Sequence, residues 1–206
     1  MSSPLLWYTT RATGIVAMLL LTVTVVLGIL TQKRARGAGL PGFALQDLHK
    51  RASLLAVVFL SIHVLTSVLD TYVHIGWLAV VVPFTSPYDR FFLGLGTISL
   101  DLFFAVLVSS LSRRWISAWA WRAIHWLAYA SWPVAIAHGI GSGTDIQLDW
   151  VDGLVGACCL SVVTTAIWRF ARPAIERRRA AAQWPGSPHP VEPRMPAHAE
   201  TGARGR

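Results

Sequence analysis

Five long apolar stretches divide this chain, and they limit the folds that it can adopt. They cover residues 13–31, 45–69, 91–111, 116–139 and 151–170. A helix needs about 20 apolar residues to cross a hydrocarbon core of about 30 Å, and each stretch is close to that length or longer. Charged residues make up only 14% of the chain, whereas soluble domains have about a quarter. The sequence therefore predicts an all-α integral membrane protein, a bundle of about five transmembrane helices.

Basic residues cluster at alternate connections between these stretches. By the positive-inside rule, such clusters mark the cytoplasmic side of a membrane. This predicts an extracytoplasmic N-terminus, a cytoplasmic C-terminus and a multi-pass protein of the cell membrane. The cytoplasmic clusters are Lys33, Arg34, Arg36, Lys50 and Arg51, then Arg113, Arg114 and Arg122, then Arg169, Arg172, Arg177, Arg178 and Arg179, whereas the other side has only Arg11 and Arg90.

Three segments follow from this pattern. Residues 1–12 are expected to be a short extracytoplasmic segment, residues 13–171 the membrane domain, and residues 172–206 a basic, then Pro/Ala-rich, disordered cytoplasmic tail. A further apolar segment, residues 74–84, is too short for a span and predicts an interfacial or re-entrant cap. The net charge of +8 does not indicate nucleic-acid binding, because the basic residues lie between spans and form no face with interleaved aromatics.

Four histidines lie in the second and fourth stretches, which both run from the cytoplasm outwards in this topology. His49 and His63 are separated by 14 residues, and His125 and His138 by 13. His49 and His125 lie near basic clusters, whereas His63 and His138 each precede an outer aspartate by seven residues. The sequence therefore predicts two histidine pairs at two membrane depths.

The spacing limits what these pairs can bind. Fourteen helical residues return to within about 40° of the same face and rise about 21 Å, too far for one metal cluster. Thirteen residues leave about 140° of misalignment on an ideal helix, and Pro133 is a candidate for the correction. Such sites suit two flat macrocycles, since histidine is a common axial ligand of haem iron. The alternatives are helix–helix hydrogen bonds and a zinc site, although no cysteine or carboxylate lies at ligand spacing.

Asp101 lies in the middle of the third stretch, where a carboxylate is costly unless it is protonated, paired or hydrated. We expect it to face the bundle interior and to tune a haem or relay protons. A packing role for the protonated side chain is the alternative.

The chain resembles the ferric reductase-like transmembrane domain superfamily over residues 11–170. The resemblance is carried by RATGIVAMLLLTVTVVLGI, LHKRASLLAVVFLSIHVLTSVLD, YVHIGWLAVVVPF, LGLGTISLDLFFAVLVSSLSRR and WRAIHWLAYASWPVAIAHGIGSGTD. It implies two b-type haems, the inner one ligated by His49 and His125 and the outer one by His63 and His138. Arg51 and Arg122 lie at the inner level and are candidates to bind haem propionates, in addition to their role as topology signals.

This resemblance implies a haem-binding oxidoreductase subunit that carries electrons outwards. The donor would be a separate flavoprotein reductase or membrane quinol, because the chain has no GxGxxG phosphate-binding loop of its own. The acceptor would be a ferric chelate, oxygen or a periplasmic or extracellular redox protein. Two other functions stay open: a metal-ion permease that uses the histidines as transient ligands, and a structural subunit of a redox complex.

Overall fold

The computed structural model describes residues 4–31, 41–70, 75–143 and 149–183, and all the regular secondary structure in these ranges is helical. Four helices are long and apolar enough to cross a membrane: α1, α2, α4 and residues Asp149–Ala171 of α7. An all-helical, multi-pass membrane architecture is therefore supported. The helices are α1 (Pro4–Leu30), α2 (Gly42–Leu69), α3 (Leu78–Val81), α4 (Arg90–Leu111), α5 (Ala118–His125), α6 (Leu127–Ser142) and α7 (Asp149–Gln183).

The predicted fourth span is divided into α5 and α6 at Trp126. The amide of Tyr129 donates to the carbonyl of Trp126 at 3.0 Å, a three-residue bond that winds the chain more tightly than an α-helix. Pro133, which we expected to interrupt this segment, lies inside α6. The irregularity therefore follows His125 directly, and its tighter winding turns the chain in the direction that reduces the misalignment of the two histidines.

Helices α1 and α2 pack along each other as an antiparallel pair. Leu27, Leu45 and Ala52 form a buried apolar cluster between them. At the other end of the pair, the Thr10 hydroxyl donates to the Thr66 hydroxyl at 2.9 Å. Small residues such as Ala52 let the two helices approach closely, as is common between membrane helices.

Helices α4 and α6 form a second packed pair. Ser99 and Ser131 exchange hydrogen bonds, and each hydroxyl donates to the other residue's carbonyl at 3.0 Å. The indole Nε1 of Trp132 donates to the Thr22 hydroxyl at 2.9 Å and so joins α6 to α1. These bonds satisfy polar groups inside an apolar bundle and connect its two helix pairs.

The predicted cap between the second and third stretches contains the one-turn helix α3. The Thr97 hydroxyl donates to the Ala79 carbonyl at 2.6 Å, which holds α3 against α4. The Phe84 ring lies directly over Gly94, where any Cβ would collide with it. The cap is therefore packed on α4, and its first residue, His74, lies outside the described residues.

The ends of the chain differ from the predicted segment boundaries. Helix α1 already begins at Pro4, within the segment expected to precede the membrane domain. The chain divides into two units after Phe170. In the second unit the described residues are helical to Gln183, residues 184–206 lie outside the described ranges, and the disordered tail stays a prediction.

Candidate functional site

The structure brings the four histidines together in the same two pairs that sequence analysis matched. The ring centres of His49 and His125 are 6.4 Å apart, with the ring planes at 61°. Those of His63 and His138 are also 6.4 Å apart, with the planes at 72°. We call the first the inner pair and the second the outer pair, after the predicted orientation. Each pair joins α2 to the α5–α6 segment.

Three of the four rings are oriented by the backbone of a neighbouring helix. A carbonyl oxygen only accepts hydrogen bonds, so each of these rings donates from Nδ1 and keeps the lone pair of Nε2 for another partner. This is the usual arrangement of a histidine that ligates a metal. The bonds run from His49 to the Thr24 carbonyl at 3.0 Å, from His63 to the Thr10 carbonyl at 2.8 Å and from His138 to the Phe92 carbonyl at 2.8 Å.

A glycine lies against each of these three rings. A Cβ built on Gly96 would be 2.8 Å from the His138 ring, and one on Gly14 would be 3.0 Å from the His63 ring. The corresponding distance from Gly28 to His49 is 3.4 Å, an ordinary contact. Both rings of the outer pair therefore lie closely against a glycine of a neighbouring helix, and the approach is tighter at Gly96 than at Gly14.

Carbonyl and glycine recur as a motif that sequence analysis missed. In each case the glycine follows the residue whose carbonyl accepts the hydrogen bond by four positions, about one helical turn, so both lie on one face. Helix α1 carries two copies, TRATG and TVVLG, 14 residues apart, and α4 carries one, FLGLG. The separation in α1 equals that of His49 and His63 in the antiparallel α2. This equal separation on two helices is the sequence signal that could have identified the two glycines of α1 and the carbonyls that precede them.

His125 has a different environment from the other three histidines. Its Nδ1 is buried and has no hydrogen-bond partner in the part of the chain that the structure describes. The ring stacks on Trp121, with 4.8 Å between ring centres, and the Arg113 guanidinium lies 4.1 Å over that indole. His125 is therefore held by stacking, whereas His49 in the same pair is held by a hydrogen bond.

The outer pair borders a cavity of about 550 Å³. Residues of α1, α2, α4, α6 and the first half of α7 line it, and most of them are apolar. Arg11 lies in the lining, with its guanidinium 4.5 Å over the Trp7 ring. The cavity thus has an apolar body, with two imidazoles, the Arg11 guanidinium and the Asp70 carboxylate in its wall.

The two basic residues predicted at the inner level are both exposed. Arg51 donates from Nε to the carboxylate of Asp47 at 2.7 Å, one turn away on α2. Arg122 is exposed on α5, three residues before His125. Their role as propionate partners stays a prediction.

Asp101 does not face the bundle interior, so that expectation is wrong. Ser99 faces α6, to which it is hydrogen-bonded, and Asp101 follows it by two residues, about 200° around the helix. The Asp101 side chain is accordingly exposed on the far face of α4, next to the exposed ring of Phe104. A direct role beside the histidine pairs is not supported by this position.

Among the described residues, no group of three or more His, Cys, Asp or Glu side chains could hold a metal ion. Each pair therefore offers two protein ligands. Within the described ranges, this donor set is smaller than the three or four protein ligands of most zinc sites.

Comparison with known proteins identifies a family without a described activity. No curated protein and no solved structure matches the chain. One family model matches residues 5–145, more than half of the chain, and this range contains all four histidines of the two pairs. The chain therefore belongs to the family described as Domain of unknown function (DUF8596).

Proposed function

We propose that this protein is a transmembrane electron-transfer protein that holds two b-type haems, one in each histidine pair. The observation that carries the proposal is the geometry of the pairs. In both pairs, two imidazoles from different helices lie with their ring centres 6.4 Å apart. Three of the four are bonded through Nδ1 to a carbonyl, which leaves Nε2 as the ligand atom.

The donor set fits haem iron. If haem is bound, its porphyrin would supply four nitrogen ligands, and one histidine from each of the two helices would supply the remaining two. Bonds from a metal to a histidine nitrogen are about 2.0–2.1 Å long, so two rings that would hold one ion between them have to lie close together. The observed separation is 6.4 Å in both pairs.

The cavity beside the outer pair also suits a large, mostly apolar ligand. Its volume of about 550 Å³ lies within the usual range of cofactor sites, about 300–1,000 Å³. Arg11 in the lining can neutralise a propionate, and the apolar side chains keep water away from the macrocycle. At the inner pair, Arg51 and Arg122 are the corresponding candidates.

Haem supplies reversible one-electron chemistry when it is bound, and this chain supplies position and environment. His49 and His63 hold sites separated by about 21 Å along α2, so the two pairs lie at two depths. The apolar helices around them exclude water and so limit the charge rearrangement that accompanies electron transfer.

In the cell membrane we place the chain as a bundle of five spans, counting α5 and α6 as one, with the N-terminus outside. Electrons would enter at the basic cytoplasmic face from a separate flavoprotein or from quinol. They would leave at the outer face to a ferric chelate, oxygen or a redox protein. The charge pattern and the resemblance to ferric reductase-like domains support this direction.

The test is the absorption spectrum of the purified protein, oxidised in air and then reduced with dithionite, with haem counted per chain. We expect two b-type haems in the wild type and one in both His63→Ala and His138→Ala. His198→Ala, in the C-terminal segment, is the control and should keep two. Absence of haem after haem-replete expression would contradict the proposal, and metal-dependent transport by the same preparation would favour a permease.

A further inference from the structure

The two histidine pairs are not equally supported by their surroundings. In the described part of the chain, three buried side-chain polar atoms have no hydrogen-bond partner: Thr24 Oγ1, Trp121 Nε1 and His125 Nδ1. All three belong to the surroundings of the inner pair, because the Thr24 carbonyl holds His49 and Trp121 stacks on His125. At the outer pair, both rings donate from Nδ1 to a carbonyl.

The sequence of α4 accounts for this difference. His138 uses the Phe92 carbonyl and the space over Gly96. His125 precedes His138 by 13 residues, so its counterparts on the antiparallel α4 fall 13 or 14 residues further along. Those positions carry no glycine, and the nearby Val106 carbonyl already accepts from the hydroxyls of Ser109 at 2.9 Å and Ser110 at 2.8 Å.

Packing follows the same pattern. Helix α4 packs closely along α6, which carries His138, and only lightly on α5, which carries His125. Ser109 is buried and has a Cβ where the outer level has glycine. A ring on α5 therefore finds neither the space nor the free carbonyl that would orient it.

From this asymmetry we infer that the inner pair binds haem more weakly than the outer pair and exchanges it faster. We infer that His125 is the ligand that dissociates from the iron. The inference rests on the proposed haem function. Loss of an orienting partner of a metal-ligating histidine typically lowers affinity by about 10- to 100-fold. We therefore expect the haem of the inner pair to dissociate at least about tenfold faster than that of the outer pair.

The experiment is haem transfer from the full-length protein in detergent to excess apomyoglobin, followed in the Soret band. We expect two phases of equal amplitude in the wild type. His125→Ala should lack the fast phase, because its inner haem is lost during purification, and His138→Ala should lack the slow phase. Equal rates in the wild type, or a fast phase that disappears in His138→Ala, would overturn the inference and leave the haem function intact.

Carbon monoxide provides a second measurement that needs no variant. If His125 dissociates, a coordination position becomes free at the inner haem. The reduced wild type should therefore bind carbon monoxide at one of its two haems, the inner one. Binding at neither haem, or equal binding at both, would overturn the inference. A preparation without any haem would instead contradict the proposed function itself, so the two failures are distinguishable.

Discussion

Gly96 determines how closely the His138 ring can lie against α4. A methyl group at this position would be 2.8 Å from ring atoms that are already held by the Phe92 carbonyl. Two movements can relieve this clash. The imidazole can shift, which breaks its bond to the Phe92 carbonyl, or the two helices can separate.

We therefore expect Gly96→Ala to lower haem content from two per chain towards one. Gly156→Ala is the control, because it lies on α7 outside the cavity lining and a Cβ there meets nothing within 4 Å. The control should keep two haems, since alanine is a better helix former than glycine. Equal haem content in the two variants would show that the close approach at Gly96 is not required.

The three glycines also predict a graded series. Gly14→Ala places its methyl group 3.0 Å from the His63 ring and should also reduce the haem of the outer pair. Gly28→Ala places its methyl group 3.4 Å from His49 and should leave haem content unchanged. Haem per chain, measured on the three alanine variants under one purification protocol, checks the order. A larger loss in Gly28→Ala than in Gly14→Ala would contradict it.

At the scale of residues, sequence reasoning found the four histidines and their pairing but missed what orients them. Spacing and landmark charges are visible along one chain segment, so the two levels were predictable. A partner carbonyl belongs to another helix, and which carbonyl a ring reaches depends on how two helices pack. Asp101 shows the same limit, since its depth could be read from the sequence and its side of α4 could not.

At the scale of helices, the bond from Trp132 to Thr22 connects the α4–α6 pair to α1. We expect Trp132→Phe to destabilise the bundle by about 0.5–1.7 kcal/mol, because it removes one interhelical hydrogen bond and keeps most of the aromatic ring. Thermal unfolding in detergent, followed by circular dichroism, measures the change. Trp119→Phe, at an exposed position on α5, is the control and should unfold like the wild type.

The division of α5 from α6 was only partly predictable. The 13-residue separation of His125 and His138 required a departure from an ideal helix, which the sequence shows directly. Proline was the visible candidate, since it removes a backbone hydrogen bond. The chain instead tightens at Trp126, a residue without a strong local preference for a break. The stacked rings of Trp121 and His125, one turn apart on α5, lie directly before this irregularity.

At the scale of the whole molecule, the placement of basic residues predicts how the chain crosses the membrane. Alkaline phosphatase fused after Gly143 should be active in a bacterial host, because that connection is predicted to be extracytoplasmic. A fusion after Gln183 should be inactive, and green fluorescent protein at the same position should fluoresce. The opposite result at both positions would show that the bundle has the inverted orientation. Equal phosphatase activity at both positions would contradict an odd number of spans between them.

The sequence by itself determined the helical membrane class, four of the long apolar helices and the two levels of histidine. These follow from apolar length, charge and spacing, which are properties of single segments. Only the tertiary structure decided that three of the four imidazoles donate a hydrogen bond from Nδ1 and that the fourth has no such bond. It also decided which face of α4 carries Asp101. Those outcomes depend on which helices pack together and how closely, as the short distances from Gly14 and Gly96 to the histidine rings illustrate.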